Sequence, residues 1–215
     1  MKPTIKKIMA VLLSAILVLS MVGCGEKKDS AAKPGVQVTS EEAAKLAVQA
    51  LLDALKAADM EAAKKFLATE GAVSELEGVL THEPFMKLLF DSLDYKILSA
   101  EKADENTVTV TAQITARDMK PVIQAALEKL INFALEANFA QMPLSEEAYA
   151  QKTLEIYTQA MEETENTTVT NTVSVPVKKE NDVWTVQADA AFANAVLGGL
   201  QTAVQDIVSE MNVAQ

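Results

Sequence analysis

The chain has 215 residues, with 30 acidic and 19 basic side chains and a formal net charge of −11 at pH 7. So acidic a protein repels phosphate backbones and anionic lipid surfaces, which excludes nucleic acid as a partner and leaves membrane affinity to a feature other than surface charge. The length suits one domain. A hydrophobic fraction of 49% with only 5% aromatic residues predicts a core of Ala, Leu, Val and Ile.

The first 24 residues have the pattern of a secretory signal. Lys2, Lys6 and Lys7 precede an apolar run over 8–22, which is shorter than the ~20 residues that a membrane span needs. The run ends in Ser-Met-Val-Gly before Cys24, which resembles the lipobox of bacterial lipoproteins. The resemblance implies cleavage before Cys24 and a diacylglyceryl thioether on its sulfur, so that two acyl chains hold the protein on a bilayer. The alternatives are an ordinary signal peptide with an incidental cysteine, or an uncleaved span.

These features predict three parts of the chain. Residues 1–23 are expected to be a lipoprotein signal peptide, and residues 24–38 a lipid-anchored cysteine with a flexible polar linker. Residues 39–215 are expected to form a single α+β domain on the extracytoplasmic face of the cell membrane. Cys24 is the only cysteine, which excludes a disulfide framework and a thiolate metal cluster.

The domain begins with helical patterns. Thr39 is a predicted N-cap for a first amphipathic helix. Asp59 is a predicted N-cap for a short second helix, which has apolar residues as far as Leu67 and ends at Gly71. Residues 72–93 are expected to form one or two further short helices.

Strand patterns follow. Residues 95–99 alternate, and after a turn at 103–106 the segment 107–116 alternates strictly between Thr or Gln and an apolar residue, which predicts a half-buried strand. Strands resume at Thr167, where Pro176 indicates an edge or a bulge because proline cannot donate to a ladder. A last strand is expected over 183–188.

Two further helical regions are predicted. Residues 119–139 and a helix capped by Ser145 form a helical hairpin over about 119–164, separated by a break at Pro143. A final helix is expected over 192–211, with Gly198 and Gly199 in its middle and close helix packing as the reason for them.

Three passages, 51–63, 181–186 and 192–200, are similar to small lipoproteins of Gram-positive, clostridial-type bacteria. Those proteins carry a cystatin-like, nuclear-transport-factor-2-like domain of unknown function. The resemblance implies an α+β fold in which N-terminal helices pack on a curved antiparallel sheet, with a C-terminal helix added. The helical hairpin has no counterpart in the minimal fold and is expected as an insertion between the strands. Because this fold hosts enzymes, carriers and inert adaptors, it does not fix the function.

Enzymes with this fold typically place an acid or a Tyr-Asp pair in a pocket between sheet and helices. Asp94, Tyr95, Tyr149 and Tyr157 are the candidates for such a role, and Tyr95, Tyr157 and Trp184 are the predicted pocket residues. A core tyrosine with a satisfied hydroxyl is the more common outcome for such a residue. No catalytic residue, cofactor or metal ligand is therefore predicted.

The remaining chemistry-bearing residues favour structural roles. His82 is the only histidine and is expected in a loop. Five glutamates near the ends of one helix lack the glycine turn of a calcium loop and are expected to be solvated: Glu146, Glu147, Glu162, Glu163 and Glu165. The leading hypothesis is a non-catalytic extracytoplasmic lipoprotein that binds a protein partner or a small ligand. The alternatives are a carrier of a small apolar ligand and an isomerase- or dehydratase-like enzyme.

Overall fold

The structure, a computed structural model, describes residues 38–68, 82–139 and 145–213, which belong to one compact unit beginning at Val38. The helices are α1 (Ser40–Lys56), α2 (Met60–Ala63), α3 (Glu83–Phe90), α4 (Met119–Phe139), α5 (Glu146–Glu163), α6 (Ala190–Val196) and α7 (Leu200–Val213). The strands are β1 (Asp94–Lys102), β2 (Thr107–Arg117), β3 (Thr168–Glu180) and β4 (Val183–Val186). The predicted signal sequence, Cys24, the linker, Gly71 and Pro143 lie outside the described residues.

The four strands form one antiparallel sheet in the order β1-β2-β3-β4. Successive side chains of a strand point to opposite faces, so the alternation in β2 divides the sheet into two surfaces. One surface is apolar and buried, with Val110 opposite Val175, and α1 packs on it. The other carries threonine and serine hydroxyls, such as the Thr111–Ser174 pair at 2.9 Å. The predicted α+β class, with helices on an antiparallel sheet, is confirmed.

The first helix follows the predicted pattern. The Thr39 hydroxyl accepts a hydrogen bond from the backbone N–H of Glu42 at 3.2 Å, which satisfies one of the free donors at the helix start. The apolar stripe of α1 is fully buried against the sheet, and Leu51 and Leu52 have no exposed surface. Burial of a leucine side chain stabilises a fold by roughly 1.5–3 kcal/mol, so α1 is a main part of the core.

The second helix is shorter than the sequence predicts. The Asp59 carboxylate caps it by accepting from the backbone N–H of Ala62 at 2.9 Å, but α2 ends at Ala63. Leu67 is not helical, since it forms a parallel bridge with Val186 at the outer edge of β4. The backbone hydrogen bonds of this bridge protect that edge of the sheet. The helical spacing of the segment did not predict this pairing.

The predicted helical hairpin is present as α4 and α5, between β2 and β3 in the chain. The Ser145 hydroxyl caps α5 as expected, by accepting from the backbone N–H of Ala148 at 3.2 Å. Side chains at the start of α4 and the end of α5 are buried, including Val122 and Met161. The hairpin is therefore attached to the domain at the ends that adjoin the sheet.

The prediction of a single C-terminal helix is wrong. Two helices, α6 and α7, are separated by a turn in which Gly198 and Gly199 have φ angles of +60° and +76°. This left-handed region is open to glycine and costly for residues with a Cβ. The close approach expected of Gly198 does occur, but its neighbour is the backbone of Arg117 at the end of β2, and the carbonyl of Gly198 accepts from the Met119 N–H at 3.0 Å. The glycines thus end a helix instead of lying within one.

The last strand is also shorter than predicted. β4 ends at Val186, and the Gln187 N–H still donates to the Pro176 carbonyl at 2.8 Å before the chain leaves the sheet. Pro176 lies where the pairing of β3 with β4 ends, in keeping with its predicted place at an edge.

Candidate functional site

A phenol and a carboxylate meet where α1 crosses β1. The Tyr95 hydroxyl donates to the carboxylate of Asp53 at 2.7 Å. Burial, and then the hydrogen bond to Asp53, raise the pKa of the Tyr95 phenol above its ordinary value. The phenol is thus a hydrogen-bond donor at neutral pH, and Asp53 itself is exposed.

An ion pair lies beside this couple. The Lys56 ammonium is 3.0 Å from the carboxylate of Asp94, and it lowers the pKa of that carboxyl through a hydrogen bond and charge attraction. Both side chains of the ion pair are largely exposed, so it contributes little to stability. Together the two contacts fasten the end of α1 to the first residues of β1.

The predicted pocket residues lie on three separate elements. Tyr95 is on β1 and Trp184 on β4, the two outer strands of the sheet. Tyr95 is in register with Asn171 of β3 and Trp184 with Lys179, which lies roughly 26 Å further along that strand, so the two side chains are at opposite ends of the sheet. Tyr157 lies on α5, where burial raises the pKa of its phenol. Among the described residues no hydrogen bond or ring contact joins any two of them. A single pocket lined by all three stays a prediction.

The other candidates have local roles. The His82 imidazole is the N-cap of α3, with Nδ1 accepting from the Phe85 N–H at 3.4 Å. The Tyr149 ring contacts that of Phe133 across the hairpin, with centroids 5.9 Å apart. Within the described ranges, no cluster of three or more His, Cys, Asp or Glu side chains could hold a metal ion. Glu163 is paired with Lys129 at 2.9 Å.

Arg117 is the residue that the sequence reasoning missed. It is only 3% exposed, and its Nη2 donates to the carbonyls of Met161 and Thr164, the latter at 2.9 Å. Burial lowers the pKa of the guanidinium. A cation at the C-terminal end of a helix is favoured by the helix dipole, so Arg117 holds the end of α5 against the sheet.

One signal of this role was available in the sequence. Arg117 is the only arginine, while the other 18 basic residues are lysines. The planar fork of a guanidinium can donate to two carbonyls at once, which a lysine ammonium does less well in a buried position. A lone arginine at the end of an alternating strand therefore indicates a fixed contact.

The outer part of the hairpin carries an exposed apolar surface, which we name the hairpin stripe and define as Ile131, Leu135 and Phe139. Their exposed fractions are 50%, 51% and 86%. They lie one helical turn apart on α4, so their side chains form one line on its outer side. The hairpin stripe is the candidate binding surface of the domain.

No helix among residues 38–68, 82–139 and 145–213 has the length and apolar content needed to cross a membrane. The described elements form an α+β domain with a helical hairpin. A buried arginine lies where the hairpin meets the sheet, and an apolar stripe lies toward the far end of α4.

The comparisons with known proteins add little to this description of the fold. No family model and no curated protein matches the chain. The chain is similar to an NTF-2-like protein of unknown function from Shewanella oneidensis MR-1, with 9% identity over 66% of this chain and 90% of that chain, at a TM-score of 0.39. It is also similar to a protein named provisionally as a lipoprotein (ycdA) from Bacillus subtilis subsp. subtilis str. 168, with 15% identity over 68% of this chain and 44% of that chain, at a TM-score of 0.38. The match thus spans less than half of the second protein, and likenesses of this size support no conclusion on function.

Proposed function

We propose that this chain is an extracytoplasmic lipoprotein, anchored through lipid on Cys24, whose folded domain serves as a non-catalytic binding or accessory module. The observation that carries the proposal is the position of Cys24. It is the only cysteine, it follows the apolar run after Gly23 alone, and residues 25–37 separate it from the domain that begins at Val38. A tether of that length has a mean span of ~20 Å and would let the domain stand off the membrane.

The Tyr95–Asp53 pair does not favour an isomerase- or dehydratase-like function. Asp53 is exposed on the surface of α1, and the raised pKa of the Tyr95 phenol keeps that group protonated near neutral pH. A general base in such an enzyme needs a shielded site, where its pKa can approach the working pH.

The packing of the core does not favour a carrier of a small apolar ligand. Such a ligand would lie between the sheet and the helices that cover it. Leu51, Leu52 and Phe90 are among the largest fully buried side chains of the domain and belong to one apolar cluster with the inner residues of the sheet. These side chains take up part of the space that such a ligand would need.

Labelling with an alkyne fatty acid in a lipoprotein-processing bacterial host tests the anchor. The wild-type chain is expected to take up the label and to fractionate with membranes, while Cys24→Ser takes up none and is released when the signal is cleaved. Equal labelling of the two chains, or an unlabelled wild-type chain in a cytosolic fraction, would contradict the proposal. Circular dichroism of both chains checks that the substitution leaves the domain folded.

A further inference from the structure

No described element of the domain covers the hairpin stripe. A helix that faces only water carries polar residues on its outer side, yet α4 exposes a large apolar side chain on each of three consecutive turns at Ile131, Leu135 and Phe139. Contiguous exposed apolar side chains are typical of surfaces where another molecule binds.

The unpaired charges around the hairpin stripe are acidic. Glu128 and Glu136 lie on the exposed side of α4 within one turn of stripe residues, and Glu146 and Glu147 form the first turn of α5 near the same end of the hairpin. All four carboxylates are on residues that are exposed to solvent. A partner that approaches the stripe meets negative charge on its way.

The lysines of this part of the hairpin are already engaged with carboxylates. The Lys129 ammonium is 2.9 Å from a carboxylate oxygen of Glu163, and that of Lys152 is 3.0 Å from Glu155. Neither lysine is available to offset the four acidic residues near the stripe. The local charge therefore has the same sign as the whole chain.

We propose that the hairpin stripe docks an amphipathic helix of a partner protein, one whose apolar face is flanked by Lys or Arg. This inference rests on the proposed binding function and names the chemistry of the partner. The partner helix lies along the exposed side of α4, with apolar anchors at i, i+4 and i+7 against the stripe. Its basic residues lie beside Glu128 and Glu136.

Charge decides against two other occupants. A bilayer rich in anionic lipid attracts interfacial helices through basic residues on their polar side, whereas the exposed side of α4 carries Glu128 and Glu136. A second copy of this chain brings the same acidic residues to the contact, and like charges across an interface are unfavourable. A basic helix satisfies both the apolar line and the charge.

A peptide-binding measurement on the full chain in detergent tests this proposal. The probe is a fluorescent helical peptide of roughly 18 residues, or five turns, with leucines along one face and lysines on both flanks. Its matched control keeps the leucines and replaces every lysine by glutamate. We expect fluorescence anisotropy to show binding of the basic peptide and at least about tenfold weaker binding of the acidic one.

Variants of the chain locate the binding surface. The double substitution Leu135→Ser and Phe139→Ser is expected to weaken binding of the basic peptide at least about tenfold. The matched control is Val204→Ser with Val208→Ser on α7, an exposed pair at 44% and 51% that lies outside the hairpin and should leave binding unchanged. Glu136→Lys should weaken binding of the basic peptide and strengthen binding of the acidic one. Because these side chains are exposed, circular dichroism should show every variant folded.

The proposal would be overturned by no binding of the basic peptide, by equal binding of both peptides, by an equal loss in the α7 control, or by binding of the full chain to phosphatidylglycerol vesicles through the stripe. Concentration-dependent dimerisation that the stripe substitutions abolish would assign the surface to a second copy and would also overturn it. The assay is independent of the anchor, because Cys24→Ser should bind the peptide as the wild-type chain does. A failure of peptide binding is therefore distinct from a failure of lipid labelling.

Discussion

The turn between α6 and α7 offers a sharp test, because two adjacent glycines share a backbone conformation but differ in their surroundings. Gly198 and Gly199 both have positive φ angles. A Cβ on Gly198 would overlap the carbonyl oxygen of Arg117 and lie 2.8 Å from the carbonyl carbon, whereas a Cβ on Gly199 would meet nothing within 4 Å. Substitution by alanine therefore separates backbone strain from steric conflict.

The two costs can be estimated from these surroundings. Gly199→Ala adds only the strain of an L-residue in the left-handed region, and it is expected to lower the free energy of unfolding by about 1 kcal/mol. Gly198→Ala adds the same strain and also displaces the backbone at the end of β2, so a loss of about 2–4 kcal/mol is expected. Domains of this kind have a total stability of about 5–15 kcal/mol, so the Gly198 variant approaches the limit of folding.

Urea unfolding followed by the fluorescence of Trp184 measures both losses, since this half-buried side chain is the only tryptophan. The slope of the unfolding free energy against urea should be the same for the three proteins, so that midpoints can be compared directly. Losses that agree within about 0.5 kcal/mol, a difference typical of substitutions without a specific mechanism, would refute the close approach of Gly198 to β2.

Three further predictions concern the polar contacts. Arg117→Met removes two hydrogen bonds from a charged donor but also removes a buried charge, so the free energy of unfolding is expected to fall by about 1–3 kcal/mol. Hydrogen exchange in the last turn of α5 should become faster, and unchanged exchange there would contradict the role of the guanidinium. Tyr95→Phe loses the hydrogen bond to Asp53 and should cost about 1 kcal/mol in urea unfolding, whereas a neutral or stabilising effect would show that the bond contributes nothing. Lys56→Met should raise the pKa of the Asp94 carboxyl toward its ordinary value in an NMR titration, and a pKa that does not move would contradict the ion pair. Because Asp94 has a lowered pKa in the folded state, its small contribution to stability is present above the unfolded pKa and is lost as the pH falls through the folded one.

Local patterns were enough to predict most of the elements. The strict alternation of β2 predicted a strand with one buried face because successive side chains of a strand point to opposite sides. Thr39, Asp59 and Ser145 were recognised as N-caps because their side-chain oxygens can accept from backbone groups three residues on. Each of these features depends on residues that are near one another in the chain.

The misplaced elements depend on residues far apart in the chain. Leu67 has the spacing of a helical residue, but its backbone pairs with Val186, more than a hundred positions away. Gly198 fits within an apolar helical stripe, but its neighbour in space is Arg117, so the chain turns there. Neither partner can be read from periodicity.

The candidate site shows the same division. The sequence identified Tyr95 as a predicted pocket residue, but not Asp53 as the acceptor of its hydroxyl, since the acceptor lies on another element. It assigned apolar residues of α4 to the hairpin without showing which of them remain exposed. Exposure is a property of the packed domain, because the same stripe is buried or free according to which helix lies beside it.

The sequence alone therefore determined the net charge, the caps, the alternation of the strands, the α+β class and the predicted anchor at Cys24, since these follow from residue type and short-range spacing. Only the tertiary structure decided that the C-terminal region is two helices, that Arg117 holds the end of α5, and that the hairpin stripe faces solvent. The physical reason is that packing brings distant parts of the chain into contact, and the free energies of those contacts outweigh local preferences of about 1 kcal/mol per residue.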